Sequence, residues 1–123
     1  MQNLHVFHLL NSHLTYRQQN QAVQIVGVQP TDGSKIPGIR KWPKAYLPKI
    51  FDASKVDQIL EVSQEHAVNM ARKLAKEEGI FSGMSSGGAA TVALRLANTL
   101  QNGTIVSIVC DRGDRYLSSG LFE

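Results

Sequence analysis

Polar residues and glycines that could bind a ligand stand where an apolar run of this sequence gives way to an amphipathic helix. The run Ile80–Met84 is followed by Ser-Ser-Gly-Gly, and Ala89–Leu100 continues with helical spacing of its apolar residues. Glycines let a ligand approach the backbone, serine hydroxyls donate or accept hydrogen bonds, and a helix start offers unpaired N–H groups. One interpretation of this pattern is a site for an anion or a polar heteroatom at Ser85–Gly88. The alternative is that one of the serines only caps the helix, as serine often does.

A thiol and a carboxylate, Cys110 and Asp111, come at the end of the most apolar run in the sequence, Thr104–Cys110. Side chains at the end of a strand can face a ligand, although a buried cysteine also packs as a small hydrophobic residue. No nearby histidine is placed to activate the thiol, so we do not predict Cys110 to be a nucleophile. It is the only cysteine, which excludes an intramolecular disulfide and indicates a reducing compartment.

A proline-rich loop, Pro30–Pro48, carries several basic residues and the only tryptophan of the chain. Its Asp-Gly and Pro-Gly dipeptides are typical of turns. Loops of this length inside a small domain are usually functional or disordered, and we expect this one to be the least ordered internal segment. Trp42 is either a hydrophobic anchor or a lid residue that faces a ligand. The neighbouring charges of Arg40 and Lys41 favour the lid.

Charge and composition exclude several classes of protein. The net charge is +3, and the basic residues are spread along the chain rather than collected in the stripe that nucleic-acid binders carry. No apolar run approaches the ~20 residues needed to span a bilayer, and the amino terminus lacks the basic segment of a signal peptide. His5, His8 and His13 match no standard zinc spacing, so we predict no metal site. We expect a cytoplasmic protein without nucleic-acid, membrane or metal partners.

The hydrophobic periodicity predicts an α/β fold of parallel strands connected by helices. We expect strands at Val23–Val28, Ile80–Met84 and Thr104–Cys110, and helices at Ser63–Glu78 and Ser86–Leu100. Asp57–Val62 fits either a strand or the first turns of a helix. Helical crossovers imply parallel pairing. Ligands of such sheets bind at the carboxyl ends of the strands, where the loops described above would meet.

Four stretches, read together in their order and spacing, resemble the carboxyl-terminal part of the B-type cysteine synthases: Ile25–Pro30, Ile36–Pro43, Glu78–Ala89 and Cys110–Leu117. Those enzymes belong to the fold-type-II family of pyridoxal-phosphate enzymes, and the resemblance covers residues 22–123. It implies a partial three-layer domain with a parallel sheet, and a cytoplasmic homodimer. It also implies the synthesis of L-cysteine from O-acetylserine and sulfide or thiosulfate by β-replacement.

The resemblance further implies roles for particular side chains. By position, Ser85 would hydrogen-bond the pyridine nitrogen of the cofactor, and Cys110 and Asp111 would line the site near the cofactor ring. Three residues match the mobile loop that closes over substrate, namely Arg40, Lys41 and Trp42. The family loop more commonly reads Arg-Arg-Trp, so a lysine at the middle position weakens bidentate binding of an anion there.

Two features of that family have no counterpart in this sequence. The lysine that binds the cofactor covalently belongs to an amino-terminal half, and no lysine here matches its position. The Gly/Thr-rich phosphate loop should precede Val23, but Asn3–Tyr16 contains no glycine. We therefore predict a divergent or disordered arm over residues 1–21 and a partial synthase domain over residues 22–123, as a truncated or frame-disrupted gene would encode. We expect this chain to be inactive alone and not to bind pyridoxal phosphate by itself.

Two other functions fit the residues. The first is a non-catalytic module that associates with an intact synthase or binds a small anion at Ser85–Gly88. The second is an unrelated small nucleotide-binding domain, although the sequence contains neither G-x-x-x-x-G-K-[ST] nor G-x-G-x-x-G. Co-purification with a full-length synthase would distinguish the module from an inactive fragment.

Overall fold

This computed structural model describes residues 2–7, 15, 18–49 and 51–123. Within these residues, four parallel strands form one sheet, and two consecutive α-helices follow the third strand in the chain and precede the fourth. The spatial order is β3-β2-β1-β4. The strands are β1 (Gln2–Phe7), β2 (Gln24–Pro30), β3 (Gln58–Val62) and β4 (Gly103–Ser107). The helices are α1 (Gln64–Glu78) and α2 (Met84–Ala97), with short 3-10 helices at Lys44–Tyr46, Ala53–Lys55 and Gly113–Ser119. The predicted α/β class with parallel strands is confirmed.

The main core lies between one face of the sheet and α2. Val26 and Val62, from neighbouring strands, are fully buried with Val92 and Ala89 of α2. Ile25 is also fully buried, so consecutive residues of β2 are covered on both faces of the sheet. The short run rich in β-branched residues, Val23–Val28, predicted this double burial.

An inner strand comes from a segment that the sequence analysis assigned to a divergent or disordered arm. β1 pairs with β2 on one side, from Leu4 opposite Gln24, and with β4 on the other, from Gln2 opposite Gly103. Residues 2–7 are thus part of the sheet, contrary to that expectation, because two strands satisfy their backbone groups on both sides. The rest of the predicted arm is largely outside the described residues, and a boundary near residue 22 stays a prediction.

The strand predicted at Ile80–Met84 does not form. Gly79 ends α1 in a left-handed conformation, and the Ile80 N–H still bonds to the Leu74 carbonyl as part of that helix end. α2 already begins at Met84, so only a few residues remain between the helices. One of them, Ser82, makes a single antiparallel bridge with Arg112, outside the sheet.

The other predicted elements agree with the structure more closely. The helix predicted at Ser63–Glu78 is α1, and Ser63 caps it, its hydroxyl accepting from the His66 N–H at 3.2 Å. α2 begins two residues earlier than predicted, and the ambiguous segment before α1 is β3. β4 stops at Ser107 rather than at Cys110, because its partner β1 is paired only as far as Val6 on that side.

The proline-rich loop is anchored in its first part. Ile36 and Ile39 are buried in the main core, and the Cδ1 atom of Ile39 lies against α2 at Gly88. The backbone N–H of Lys35 donates to the Gln64 side chain at 3.1 Å, and the Gln64 N–H donates to the Ser34 hydroxyl at 3.1 Å. We predicted the whole loop to be poorly ordered, but these contacts tie residues 31–39 to α1 and α2.

Candidate functional site

The amino terminus of α2 buries two serine hydroxyl groups. Gly83 is the N-cap residue, and within the described residues no side chain caps this helix end. Ser85 and Ser86 lie within the first helical turn, with 2% and 3% of their surface exposed. The alternative that a serine only caps α2 is therefore wrong, and another reason is needed for two buried hydroxyls at this position.

The loop after β4 packs directly against this helix end. The Gly83 N–H donates to the Asp111 carbonyl at 3.3 Å, and the Gly113 N–H donates to the Phe81 carbonyl at 2.9 Å. A side chain at position 83 would collide with the Asp111 carboxylate and the Tyr116 ring, so only glycine fits here. Ser85 follows Gly83 by two residues, and Gly83 is hydrogen-bonded to Asp111. The turn that carries Ser85 and the loop that carries Asp111, which the sequence predicted to meet, are therefore in contact.

Tyr116 fixes one oxygen of the Asp111 carboxylate. Its hydroxyl donates a short hydrogen bond to Oδ2 of Asp111. Burial, followed by this hydrogen bond and the charge of Asp111, raises the pKa of Tyr116 to about 12. The phenol is therefore a proton donor throughout the physiological range, and Asp111 is held as its acceptor.

Three buried polar atoms around this helix end have no hydrogen-bond partner among the residues that the structure describes: Ser82 Oγ, Ser86 Oγ and Asp111 Oδ1. Buried polar atoms in folded proteins are nearly always paired, since an unpaired one costs about 1–3 kcal/mol. Ser82 is next to Gly83, Ser86 is three residues after it, and Gly83 is hydrogen-bonded to Asp111, so the three atoms belong to segments that contact one another. Donors and an acceptor of this kind fit an aromatic heterocycle with polar substituents, such as pyridoxal phosphate.

Cys110 lies beside this cluster with an exposed side chain. Its Sγ atom donates weakly to the Ile108 carbonyl at 3.7 Å. Partial burial, followed by the negative charge of Asp111, raises the pKa of the thiol. The thiol is therefore protonated near neutral pH, and the expectation that it is not a nucleophile stays a prediction.

A second group of predicted site residues lines a separate cavity. This cavity, about 870 Å³ in volume, is lined by residues 30–43 and includes Arg40, Lys41 and Trp42 but not Ser85, Cys110 or Asp111. The Arg40 guanidinium lies 5.6 Å from the centre of the Trp42 ring, within the range of a cation–π contact. The structure thus brings the predicted site residues together as two groups.

Sequence reasoning missed Ser82, Gly83 and Tyr116. Each lies in or beside a stretch that carried the resemblance, but their spacing gave no sign of mutual contact. Only the packing of the 111–116 loop on α2 brings them together. Within the described part of the chain, no group of three or more His, Cys, Asp or Glu residues is placed to hold a metal ion. His8 and His13 lie outside that part.

Comparison with known proteins identifies the family. Residues 12–111 match the family described as pyridoxal-phosphate dependent enzymes. This chain belongs to that pyridoxal-phosphate-dependent family. The match begins within the segment that we predicted to be divergent, and membership excludes an unrelated nucleotide-binding domain.

Members of the family from several bacteria are similar to the chain. Cysteine synthase B of Pseudomonas aeruginosa is 59% identical over 107 residues, and that of Escherichia coli is 57% identical over 106 residues. These segments cover 87% and 86% of this chain but only 36% and 35% of the relatives. The chain therefore spans about a third of the length of the curated relatives that it matches.

The fold is similar to solved structures of the same kind. The crystal structure of O-ureido-L-serine synthase superposes with a TM-score of 0.83 at 28% identity, covering 98% of this chain and 42% of that enzyme. Neither helix in the described ranges is long and apolar enough to cross a membrane.

Proposed function

We propose that this chain forms the part of a pyridoxal-phosphate-dependent cysteine synthase that holds the cofactor ring. The observation that carries the proposal is the set of three buried polar atoms, on Ser82, Ser86 and Asp111, that have no hydrogen-bond partner within the described residues. The reaction of the whole site would replace the acetate group of O-acetylserine by sulfide or thiosulfate to give L-cysteine. Family membership and the similarity to cysteine synthase B support this choice of reaction.

Ser85 is proposed to hydrogen-bond the pyridine nitrogen. When bound, pyridoxal phosphate supplies an electron sink for cleavage at the substrate's α-carbon. A hydroxyl partner leaves the ring nitrogen largely unprotonated, whereas a carboxylate would hold a proton there, so Ser85 tempers that sink toward elimination. The position of Ser85 in the first turn of α2 gives it a rigid helical support.

Cys110 and Asp111 are proposed to line the site beside the ring. Tyr116 and Gly83 fix Asp111, leaving its Oδ1 atom as an acceptor for a polar group of the ligand. The protonated Cys110 thiol supplies a small, polarizable surface without competing as a nucleophile.

Activity is proposed to require residues beyond those of this sequence. None of its seven lysines matches the position of the family's cofactor-binding lysine. The small-molecule substrates, the homodimeric assembly and the cytoplasmic location implied by the resemblance remain parts of the same proposal.

A segment exchange tests this function. The corresponding segment of Pseudomonas aeruginosa cysteine synthase B is replaced by this chain, and formation of cysteine from O-acetylserine and sulfide is measured. We expect an active chimera in which Ser85→Ala lowers kcat/KM by about tenfold, the loss of roughly one hydrogen bond to the ring. Ser54→Ala, which removes an exposed hydroxyl bonded to Asp52, is the matched control and should leave turnover unchanged.

Two results would count against the proposal. One is a chimera with a native circular dichroism spectrum and melting temperature but no activity. The other is an active chimera whose turnover is the same with serine or alanine at position 85, which would make Ser85 a packing residue only.

The second candidate function, a module that binds an intact synthase, is favoured by the outer edge of β4. This strand ends the sheet, and Val106, Ile108 and Val109 in and after it are each about two-fifths or more exposed. Uncharged, β-branched edges readily pair with another chain. Co-purification of the chain with cysteine synthase B that is abolished by Val106→Lys would support this function, and the absence of any complex would exclude it.

A further inference from the structure

The proline-rich loop has a second part, residues 40–49, that is attached very differently from residues 31–39. We call residues 40–49 the outer arm. None of its residues is buried. Its described backbone hydrogen bonds are local, from Tyr46 to Pro43 and from Leu47 to Lys44, with Pro48 accepting from Phe51. Any hydrogen bond or ion pair that attaches the outer arm to the rest of the protein must therefore come from side chains.

Lys41 makes the contacts that hold it. Its ammonium nitrogen lies 2.9 Å from Oδ1 of Asp32 and 2.9 Å from Oε1 of Glu61. Among the described residues, no other side chain of the outer arm forms a hydrogen bond or a salt bridge with the rest of the chain. A single side chain thus connects this segment to the sheet.

Of the two carboxylates, Glu61 is the less exposed and the better anchored. It stands near the carboxyl end of β3 and also accepts a hydrogen bond from the Gln29 side chain of β2 at 3.0 Å. Asp32, by contrast, has 92% of its side chain exposed. The hydrogen bond to Glu61 is the largest cause that raises the pKa of Lys41, and the Lys41 ammonium lowers the pKa of Glu61 in return.

Lys41 and its neighbour Arg40 differ in the charges that surround them. Two carboxylates surround the Lys41 ammonium, so an anion approaching it meets a net negative charge. Arg40 forms no salt bridge within the described ranges and lies over the Trp42 ring, where it remains available to an anion. The two adjacent basic residues are therefore not equivalent.

We infer that Lys41 is a positioning residue, whose ion pairs with Glu61 and Asp32 latch the outer arm to the edge of β3 and hold Arg40 and Trp42 beside the loop cavity. The function of that arm in substrate binding rests on the proposed function, whereas the latch itself rests only on these contacts. Exposed ion pairs are weak and are screened by salt, so the latch can release and re-form.

Trp42 provides a direct measurement, because it is the only tryptophan in the chain. Acrylamide quenching and fluorescence anisotropy of the purified chain then report on the outer arm alone. We expect Lys41→Met to raise the quenching constant and lower the anisotropy, with the open population rising about two- to fivefold, as the loss of an exposed pair permits. Glu61→Gln should have the same effect, and the double variant should add little to either single change.

Controls separate the latch from general destabilisation. Lys55→Met removes the Lys55–Asp52 pair, 3.3 Å long and outside the outer arm, and should leave Trp42 fluorescence unchanged. Lys41→Arg should restore most of the wild-type signal, since arginine also pairs with carboxylates. Raising the salt concentration to 1 M should shift the quenching constant and anisotropy of the wild type toward those of Lys41→Met, and this measurement needs no folded variant. The values of Lys41→Met itself should not change with salt.

In the active chimera, Lys41→Met should raise the KM for thiosulfate several-fold while kcat changes little, whereas a purely structural defect would lower kcat as well. Equal quenching in wild type and Lys41→Met, or a wild-type signal insensitive to salt, would overturn the inference. The fluorescence measurement needs neither cofactor nor turnover. Failure of the latch would therefore leave the proposed function standing, and failure of the Ser85→Ala test would leave the latch measurable.

Discussion

Single residues determine how closely the two helices approach. At Gly87, a β-carbon would collide with the Ala67 carbonyl of α1 and lie 2.8 Å from the Ala71 nitrogen. These are backbone atoms of a packed helix and cannot rotate away. The close crossing in turn holds the first turn of α2, with its buried serines, against the body of the domain.

We therefore expect Gly87→Ala to lower the free energy of unfolding by about 1–3 kcal/mol, the usual cost of overpacking. Urea denaturation followed by circular dichroism measures this difference. Gly27→Ala is the matched control, because a β-carbon in β2 would make ordinary contacts of 3.4 Å with Ile59 and Val56. Similar stabilities for the two variants would mean that the helices can separate without penalty.

At the scale of elements, the proline-rich loop consists of two parts with different stabilities. The part through Ile39 has buried side chains and backbone hydrogen bonds, such as Ile39 N–H to the Ile36 carbonyl at 3.0 Å. The outer arm has neither buried residues nor backbone bonds to the sheet. Local opening needs little free energy where few contacts are lost.

Hydrogen exchange should resolve this difference within one loop. We expect the amides of Ser34 and Ile39 to exchange about tenfold or more slowly than those of Lys41 and Trp42, because only the first pair is hydrogen-bonded to carbonyl groups. Mass spectrometry of short peptides from each part measures the rates. Uniform protection across residues 31–49 would contradict a separately opening arm.

At the scale of the whole molecule, none of the chain's seven lysines is placed to bind the cofactor covalently. Covalent capture requires a lysine amine in a desolvated pocket, where its pKa can fall. None of the seven lysines is buried, and they are Lys35, Lys41, Lys44, Lys49, Lys55, Lys73 and Lys76. All are therefore expected to react slowly and without selectivity.

Reduction with borohydride tests this expectation. The purified chain is mixed with pyridoxal phosphate, reduced and mapped by peptide mass spectrometry. We expect substoichiometric label spread over several exposed lysines, with no saturation at one site. One fully labelled lysine, saturating at a defined cofactor concentration, would show that the chain binds the cofactor covalently by itself.

Local patterns in the sequence determined much of this fold. The β-branched run before Pro30 became β2, and the amphipathic segment after Ser63 became α1. The alternation of such segments was enough to identify parallel α/β structure, because burial of an apolar face depends on spacing within a few residues. The same local order of residues carried the resemblance to the family.

Only the tertiary structure decided which strands are inner and how the site is assembled. The polar segment 2–7 became a central strand because β2 and β4 pair with its backbone on both sides, a condition no local pattern contains. Likewise Gly83 and Asp111 are 28 residues apart, and the hydrogen bond between them forms only because the loop after β4 packs on the start of α2. Contacts between distant segments depend on where the whole chain brings them, so the spacing within each motif could not specify them.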